Sequence, residues 1–164
     1  MGKNEIDTTN KDLWYCLEVD FKNLTGDEFE KRVADLYRKK GYHVRKTPIG
    51  ADDGVDLIAR KGKYKMIIQA KNWTAKVGSP QIRDLAGTRE LKHANYAIII
   101  TSSTFTPSAF NTLRQYRKIR GITINGLKKE FRKYYHIEPK QKTIYANGKI
   151  ERLVDWTLGK ILRS

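Results

Sequence analysis

The feature that most constrains the fold is a pair of strand-like segments joined by a two-residue turn. Residues 55–60 and 65–71 are rich in Val, Ile and other strand formers, and Gly62-Lys63 between them fits a hairpin turn with glycine first. In this register Asp56 lies directly opposite Gln69, and the two-residue period of a strand puts Lys71 on the same face as Gln69. The sequence therefore predicts an antiparallel hairpin that carries a carboxylate, an amide and an ammonium on one face.

The rest of the chain predicts an α/β fold, a mixed sheet with helices on both sides. A capping box of Thr25 and Glu28 opens a first helix, which ends at Gly41. The run 96–101 shows no alternation, which indicates a strand buried on both faces, as in parallel pairs. The other expected elements are a strand at 42–46, a helix capped by Ser79, a helix from Thr106-Pro107 to near Gly121, a strand at 122–124 and a helix at 127–135.

We expect three regions along the chain. Residues 1–12 are polar and without periodicity, residues 1–20 are expected to form an N-terminal arm, and residues 21–134 are expected to form the globular domain. Residues 135–164 form an extension with a hairpin at Asn147-Gly148, which packs on the core or binds a second subunit.

The amino-acid composition limits which classes of partner and metal site this chain can have. Lys and Arg number 33 against 18 Asp and Glu, a net charge of +15 that indicates a polyanionic partner, nucleic acid first. One cysteine excludes an internal disulfide or a cysteine-based zinc site, and three scattered histidines argue against a histidine metal cluster. The sequence shows neither a signal peptide nor a membrane-length apolar run, so we expect an intracellular, cytoplasmic protein without a membrane partner.

Asp56, Gln69 and Lys71 are the candidate centre of the chemistry. A carboxylate and a neutral oxygen ligand suit Mg²⁺, and a nearby ammonium can orient water or stabilise charge during phosphodiester hydrolysis. The alternative is a cross-strand ion pair of Asp56 with Lys71, with Gln69 as a polar neighbour. Two features weigh against it: the apolar neighbours Ile67 and Ile68, among which an isolated ion pair is costly to bury, and the further carboxylates of the turn 52–54.

Three segments in this order and spacing resemble the PD-(D/E)xK nuclease superfamily, in particular its Mrr-like restriction endonuclease domain with a QxK variant. They are Gly41-Tyr42, the DDGVDLI segment at 52–58 and the IQAKNW segment at 68–73. The resemblance implies a restriction-endonuclease-like mixed β-sheet core flanked by helices. It also implies DNA cleavage with Mg²⁺, for which Mn²⁺ is a substitute, and no small-molecule cofactor.

The resemblance assigns roles residue by residue. Asp56 would be a metal ligand, Lys71 the catalytic lysine, and Gln69 the ligand that replaces the second acidic residue, at the cost of one negative charge. Glu30 would be the glutamate that the first helix directs at the metal, although a solvated helix face also explains it. Asp52 is either a further ligand or the side chain of an Asx-turn.

Basic residues supply the expected DNA contacts. The predicted nucleic-acid-binding residues are Lys63, Lys65, Lys76, Gln81, Arg83, Arg114, Arg117 and Lys118. Gln81 fits either a phosphate near a helix N-terminus or a plain helix surface. Trp73 either stacks on a base or packs in the core, with core packing the default expectation. The sequence shows no base-reading motif such as a zinc finger.

The sequence is compatible with three functions. The leading one is a metal-dependent DNA endonuclease of the restriction type, and a homodimer is expected because two cuts in a duplex need two active sites. The second is a structure-selective resolvase of Holliday-junction type, since such enzymes share this nuclease core. The third is a non-catalytic DNA-binding module on a nuclease fold.

Overall fold

The computed structural model describes residues 21–48 and 54–136, together with the backbone of residues 142–146 and 149–153. Within these residues the helices are α1 (Gly26–Lys39), α2 (Ser79–Leu91), α3 (Pro107–Gln115) and α4 (Ile124–Tyr135), with a 3₁₀ turn at Phe21–Asn23. The strands are β1 (His43–Lys46), β2 (Leu57–Lys61), β3 (Tyr64–Lys71), β4 (Tyr96–Thr101), β5 (Ile119–Ile122), β6 (Lys142–Ala146) and β7 (Lys149–Leu153). Strands β1 to β5 form one sheet in chain order, antiparallel from β1 to β3 and parallel from β3 to β5. The predicted mixed sheet is confirmed.

Local sequence signals account for the first helix and the central hairpin. Thr25 Oγ1 accepts from the Glu28 backbone N–H at 3.2 Å, and Glu28 Oε2 accepts from the Thr25 N–H at 2.7 Å, so the predicted capping box is present. Strands β2 and β3 pair in the predicted register, and Gly62 takes the left-handed conformation (φ 56°) that the tight turn requires.

The sheet separates two buried clusters. On one face α1 and α4 cover apolar residues of the sheet, including Leu57 and Ile68. On the other face α2 and α3 cover a second set, including Ile67 and Ile99. Strand β4 contributes to both clusters and is buried along almost its whole length, as its lack of alternation predicted.

The region around β5 differs from the prediction. Helix α3 ends at Gln115 rather than near Gly121, β5 covers Ile119–Ile122, and α4 begins at Ile124. The sequence favours Gly121 as a helix stop, but Gly121 lies inside a strand. A Cβ at this position would lie 2.5 Å from Leu113 Cδ1 and 2.9 Å from Phe105 Cζ, so glycine is required for packing and not for a turn.

The start of α2 is shifted by one residue. Gly78, not Ser79, is the N-cap, because Gln81 Oε1 reaches back to accept from the Gly78 N–H at 3.1 Å. The Ser79 hydroxyl instead donates to Ser108 Oγ at 3.2 Å and accepts from Thr112 Oγ1 at 3.0 Å. The Gln81 side chain thus caps the start of α2, a role that the sequence assigned to Ser79.

Strands β6 and β7 pair antiparallel, which confirms the C-terminal hairpin. The turn residues Asn147 and Gly148 and the N-terminal arm at 1–20 lie outside the described residues. The division into arm, domain and extension stays a prediction. None of the helices in the described part of the chain is both long and apolar enough to cross a membrane.

Candidate active site

Asp56, Gln69 and Lys71 meet at the open end of the β2–β3 hairpin. Leu57 and Ile68 are the last regular pair of the hairpin, and the Asp56 N–H donates to the same Ile68 carbonyl at 3.0 Å, which holds Asp56 beside the end of β3. Strand alternation puts Gln69 and Lys71 on the face of Ile67, which is the face that α2 and α3 cover. The structure therefore brings together the three residues that the hairpin pattern predicted.

The Asp56 carboxylate is held against the neighbouring strand. Its Oδ2 accepts from the backbone N–H of Ala70 at 2.6 Å. Strand β2 begins only at Leu57, so the Asp56 side chain takes the place of a backbone partner for Ala70. This charge-assisted hydrogen bond fixes the carboxylate between the two residues of the Gln-x-Lys segment.

Within the part of the chain that the structure describes, the Gln69 amide has a partner for its nitrogen and none for its oxygen. Its Nε2 donates to the Gly54 carbonyl at 2.6 Å, while its Oε1 is buried and accepts no hydrogen bond within the described residues. A buried carbonyl oxygen without a donor typically costs about 1–3 kcal/mol. An amide oxygen, like the carboxylate of Asp56, has the chemistry of a ligand for a hard cation such as Mg²⁺.

Gly54 explains how Gln69 reaches this position. Gly54 has φ 76°, and a Cβ on it would lie 2.8 Å from Gln69 Nε2. Only glycine combines this conformation with so close an approach of the Gln69 side chain. The preceding residues, including Asp52, lie outside the described part of the chain, so the interpretation of Asp52 stays a prediction.

Lys71 ends β3 in a half-buried position. Burial lowers the pKa of its ammonium below the ordinary value, while the negative charges of Asp56 and Asp84 act in the opposite direction. Its Nζ lies 4.0 Å from the centre of the Trp73 ring. Asp84, in α2, is a nearby carboxylate that no sequence motif indicated. Its only sequence signal is its position three residues after Gln81 in the same helix.

Glu30 is engaged elsewhere. Its Oε2 lies 2.7 Å from Lys46 Nζ, and Lys46 also contacts Asp27 Oδ1 at 2.5 Å. Helix α1, which carries Glu30, packs on the face of the sheet opposite Gln69 and Lys71. Among the described residues, no three His, Cys, Asp or Glu side chains form one potential metal site. The assignment of Glu30 as a ligand stays a prediction.

Three of the predicted DNA-binding residues line one groove. Arg83, Arg117 and Lys118 lie there with Arg89, between α2 and the segment from α3 to β5. The groove is at the start of β5, whereas Lys71 is at the end of β3. Lys71 lies beside Thr101 of β4, and Ile119 at the start of β5 lies beside Ala97 of the same strand. These two positions of β4 are four residues apart, about 13 Å along the strand.

The other predicted DNA-binding residues are dispersed. Lys65 Nζ donates to the Lys92 carbonyl at 2.5 Å, and Gln81 Oε1 caps α2. Arg114 donates to Asn111 Oδ1 at 2.8 Å on the exposed side of α3. Lys63 and Lys76 are exposed, at the hairpin turn and in the loop after β3. Their contact with DNA stays a prediction.

Comparison with known proteins supports the resemblance found in the sequence. A family model described as restriction endonuclease (Mrr_cat) matches residues 21–130. The chain is 33% identical over 94 residues to the type IV methyl-directed restriction enzyme EcoKMrr of Escherichia coli strain K12. That match covers 52% of this chain and 31% of the relative. It is 31% identical over 104 residues to the uncharacterized protein y4cD of Sinorhizobium fredii, covering 60% of this chain and 16% of the relative. The matched segments are thus a third or less of these relatives.

Solved structures confirm the fold. The DNA modification-dependent restriction endonuclease AspBHI aligns with a TM-score of 0.55 and 18% identity, covering 77% of this chain and 35% of that one. The restriction endonuclease MspJI, solved in complex with a 27-mer oligonucleotide, aligns with a TM-score of 0.51 and 18% identity, covering 77% of this chain and 32% of that one. The restriction-endonuclease-like mixed sheet flanked by helices is therefore confirmed.

Proposed function

Because this chain belongs to the restriction endonuclease family whose model spans residues 21–130, we propose that it is a metal-dependent DNA endonuclease. The reaction is hydrolysis of phosphodiester bonds, and the active site is the open end of the β2–β3 hairpin. Asp56, Gln69 and Lys71 carry the chemistry.

The observation that carries this proposal is the buried Oε1 of Gln69, which accepts no hydrogen bond within the described residues. A purely structural glutamine at this depth would satisfy both ends of its amide. Here the nitrogen end is held by the Gly54 carbonyl at 2.6 Å, which leaves the oxygen end available to a ligand. Carboxylate and amide oxygens are suitable ligands for Mg²⁺ or Mn²⁺, so the residues present fit the divalent metal that the family generally uses.

The proposed roles follow from the chemistry of each side chain. Asp56 and Gln69 would hold the metal, with Glu30 as the further predicted ligand, and the bound metal would polarise the phosphate and acidify a water. Lys71 would donate hydrogen bonds from Nζ to a non-bridging phosphate oxygen and stabilise the negative charge that develops there. Its half-buried position strengthens this interaction because little water competes.

The positive charge of the chain supplies the affinity for DNA. With a net charge of +15, we expect affinity to fall steeply as salt is raised. Arg83, Arg117 and Lys118 line a groove away from Lys71, so they would contact phosphates distant from the one that is cut. A homodimer would bring two such sites to the two strands of a duplex, with residues 135–164 as its proposed contact or as a cover for the core.

The test is plasmid cleavage by the purified chain with Mg²⁺, Mn²⁺ or neither. We expect Asp56→Asn and Lys71→Met to lower the cleavage rate by about 100-fold or more, while DNA binding without metal persists. Matched controls are Asp35→Asn, which removes a carboxylate from an exposed ion pair with Arg38, and Lys129→Met, which removes an exposed ammonium. Cleavage that survives both active-site substitutions would refute the assignment.

The same assay addresses the alternatives when the DNA is varied. A four-way junction compared with linear duplex tests the resolvase hypothesis, and absence of metal binding to the wild type would favour a non-catalytic module. The Escherichia coli relative is named as methyl-directed, so methylated and unmethylated plasmids belong in the panel. Preferential cleavage of methylated DNA would extend that specificity to this chain.

A further inference from the structure

The loop that follows the candidate catalytic lysine presents an aromatic ring to solvent. Residues 73–76 are all exposed, and Trp73 is 40% exposed. Trp73 is part of neither buried cluster of the described residues. The default expectation that Trp73 packs in the core is therefore wrong. The sequence could not show this, because the apolar strand before Trp73 gives no signal of where burial ends.

The backbone of this loop is anchored although its side chains are exposed. The buried residue Ser102 donates from Oγ to the Trp73 carbonyl at 3.1 Å, and Ser103 donates in the same way to the Thr74 carbonyl at 3.1 Å. The Val77 N–H donates to the Thr104 carbonyl at 2.9 Å, which ties the end of the loop to the same segment. The indole is thus held at a defined place beside the active site.

The Trp73 ring and the Lys71 ammonium form one composite surface. Their separation of 4.0 Å is within the range of a cation–π contact. A phosphate that binds the Lys71 ammonium would bring its own nucleotide next to the indole. Aromatic rings beside cations are a recurrent way of holding single nucleotides, because the ring stacks on the base and the cation contacts the backbone.

We propose that Trp73 is a stacking platform for a nucleobase of the nucleotide whose phosphate contacts Lys71. This inference rests on the proposed function. In the interior of an intact duplex both faces of each base are covered by neighbouring bases, so away from the duplex ends the ring stacks on a base that is unpaired or extruded. The preferred ligand is therefore DNA that carries an unpaired base next to the contacted phosphate.

The experiment compares two fluorescent DNA duplexes that differ by one unpaired thymine, with affinity measured without divalent metal. Trp73→Leu removes the aromatic face, and Trp73→Phe keeps part of it. Tyr96→Leu is the matched control, because Tyr96 is 47% exposed and pairs with Met66 at the opposite end of the β3–β4 ladder from Lys71.

We expect the wild type to prefer the duplex with the unpaired base. Trp73→Leu should weaken binding to that duplex by about 5- to 100-fold and have little effect on the fully paired one. Trp73→Phe should retain most of the preference, and Tyr96→Leu all of it. Equal affinity of the wild type for both duplexes, or a preference that survives Trp73→Leu, would overturn the inference.

The two proposals fail in different ways. If the wild type shows a Trp73-dependent preference but cuts no DNA with Mg²⁺ or Mn²⁺, the nuclease proposal fails and the stacking inference stands. If it cuts DNA while Trp73→Leu binds both duplexes like the wild type, the stacking inference fails and the nuclease proposal stands. Circular dichroism of each variant verifies that it is folded.

Discussion

Replacing Gly54 with alanine should damage both the stability of the fold and the active site. Gly54 has φ 76°, a region in which a Cβ is unfavourable, and its carbonyl accepts from Gln69 Nε2 at 2.6 Å. A Cβ at this position would lie 2.8 Å from that same nitrogen. The substitution therefore strains the backbone and displaces the amide that we propose as a metal ligand.

The variant Gly62→Ala is the control that separates the loss of stability from the loss of metal affinity. Gly62 also has a positive φ, 56°, but a Cβ on it would meet nothing within 4 Å. Each Gly→Ala change should cost about 1–2 kcal/mol from the left-handed conformation alone. For a domain of this size that lowers Tm by about 2–8 °C. Gly54→Ala should additionally weaken metal affinity by about 10- to 100-fold, the usual effect of disturbing a group that orients a ligand.

Thermal unfolding and calorimetric titration with Mn²⁺ measure the two effects on the same samples. We expect both variants to lose stability, Gly54→Ala at least as much as Gly62→Ala, with metal affinity and cleavage reduced only in Gly54→Ala. If Gly54→Ala binds metal as the wild type does, the role of Gln69 as a ligand is refuted. If neither variant loses stability, the conformational argument is refuted.

Two further predictions concern stability. Tyr37→Phe should raise Tm by about 2–4 °C, because it removes a buried hydroxyl without a hydrogen-bond partner in the described structure. A lower Tm in calorimetry would contradict this. Asp27→Asn should flatten the loss of stability in acid, measured by urea unfolding at low salt. Hydrogen bonds from Lys31 and Lys46 lower the pKa of Asp27 from 3.8 to about 2, so its contribution is full above pH 3.8 and disappears as the pH falls through about 2. Parallel curves for variant and wild type would contradict that.

Short-range signals predicted most of the fold correctly. The Thr25–Glu28 capping box and the Gly62-Lys63 turn depend on neighbours within a few residues, and both are present as predicted. The predictions that were wrong concern residues whose role depends on contacts with residues distant in the sequence. Gly121 is required because Leu113 and Phe105 pack closely against it. The residues adjacent to Gly121 in the sequence therefore do not indicate that it lies in a strand.

The candidate site likewise has one part that the sequence predicts and another that depends on tertiary packing. Asp56, Gln69 and Lys71 are related by hairpin register, which the turn determines, so their approach was predictable from the sequence. The Oε1 of Gln69, which has no partner among the described residues, depends on the conformation of Gly54, and the influence of Asp84 on Lys71 depends on how α2 packs. Neither relation has a periodic or local signature in the sequence.

Glu30 shows what this arrangement implies for metal binding. On the hairpin, Asp56 is the one proposed ligand with a negative charge, because glutamine stands where an acid would add a second. Glu30 would have to leave Lys46 to serve as a further ligand, although Asp27 would remain as a partner for that lysine. Breaking the Glu30–Lys46 ion pair costs free energy and so opposes metal binding. The glutamine at position 69 also lacks the negative charge with which an acid would attract the cation. The site should therefore bind divalent metal more weakly than a site with two acids, and binding should be aided by the phosphate that DNA brings. Metal affinity is accordingly expected to rise when DNA is present, which couples activation of the site to its substrate.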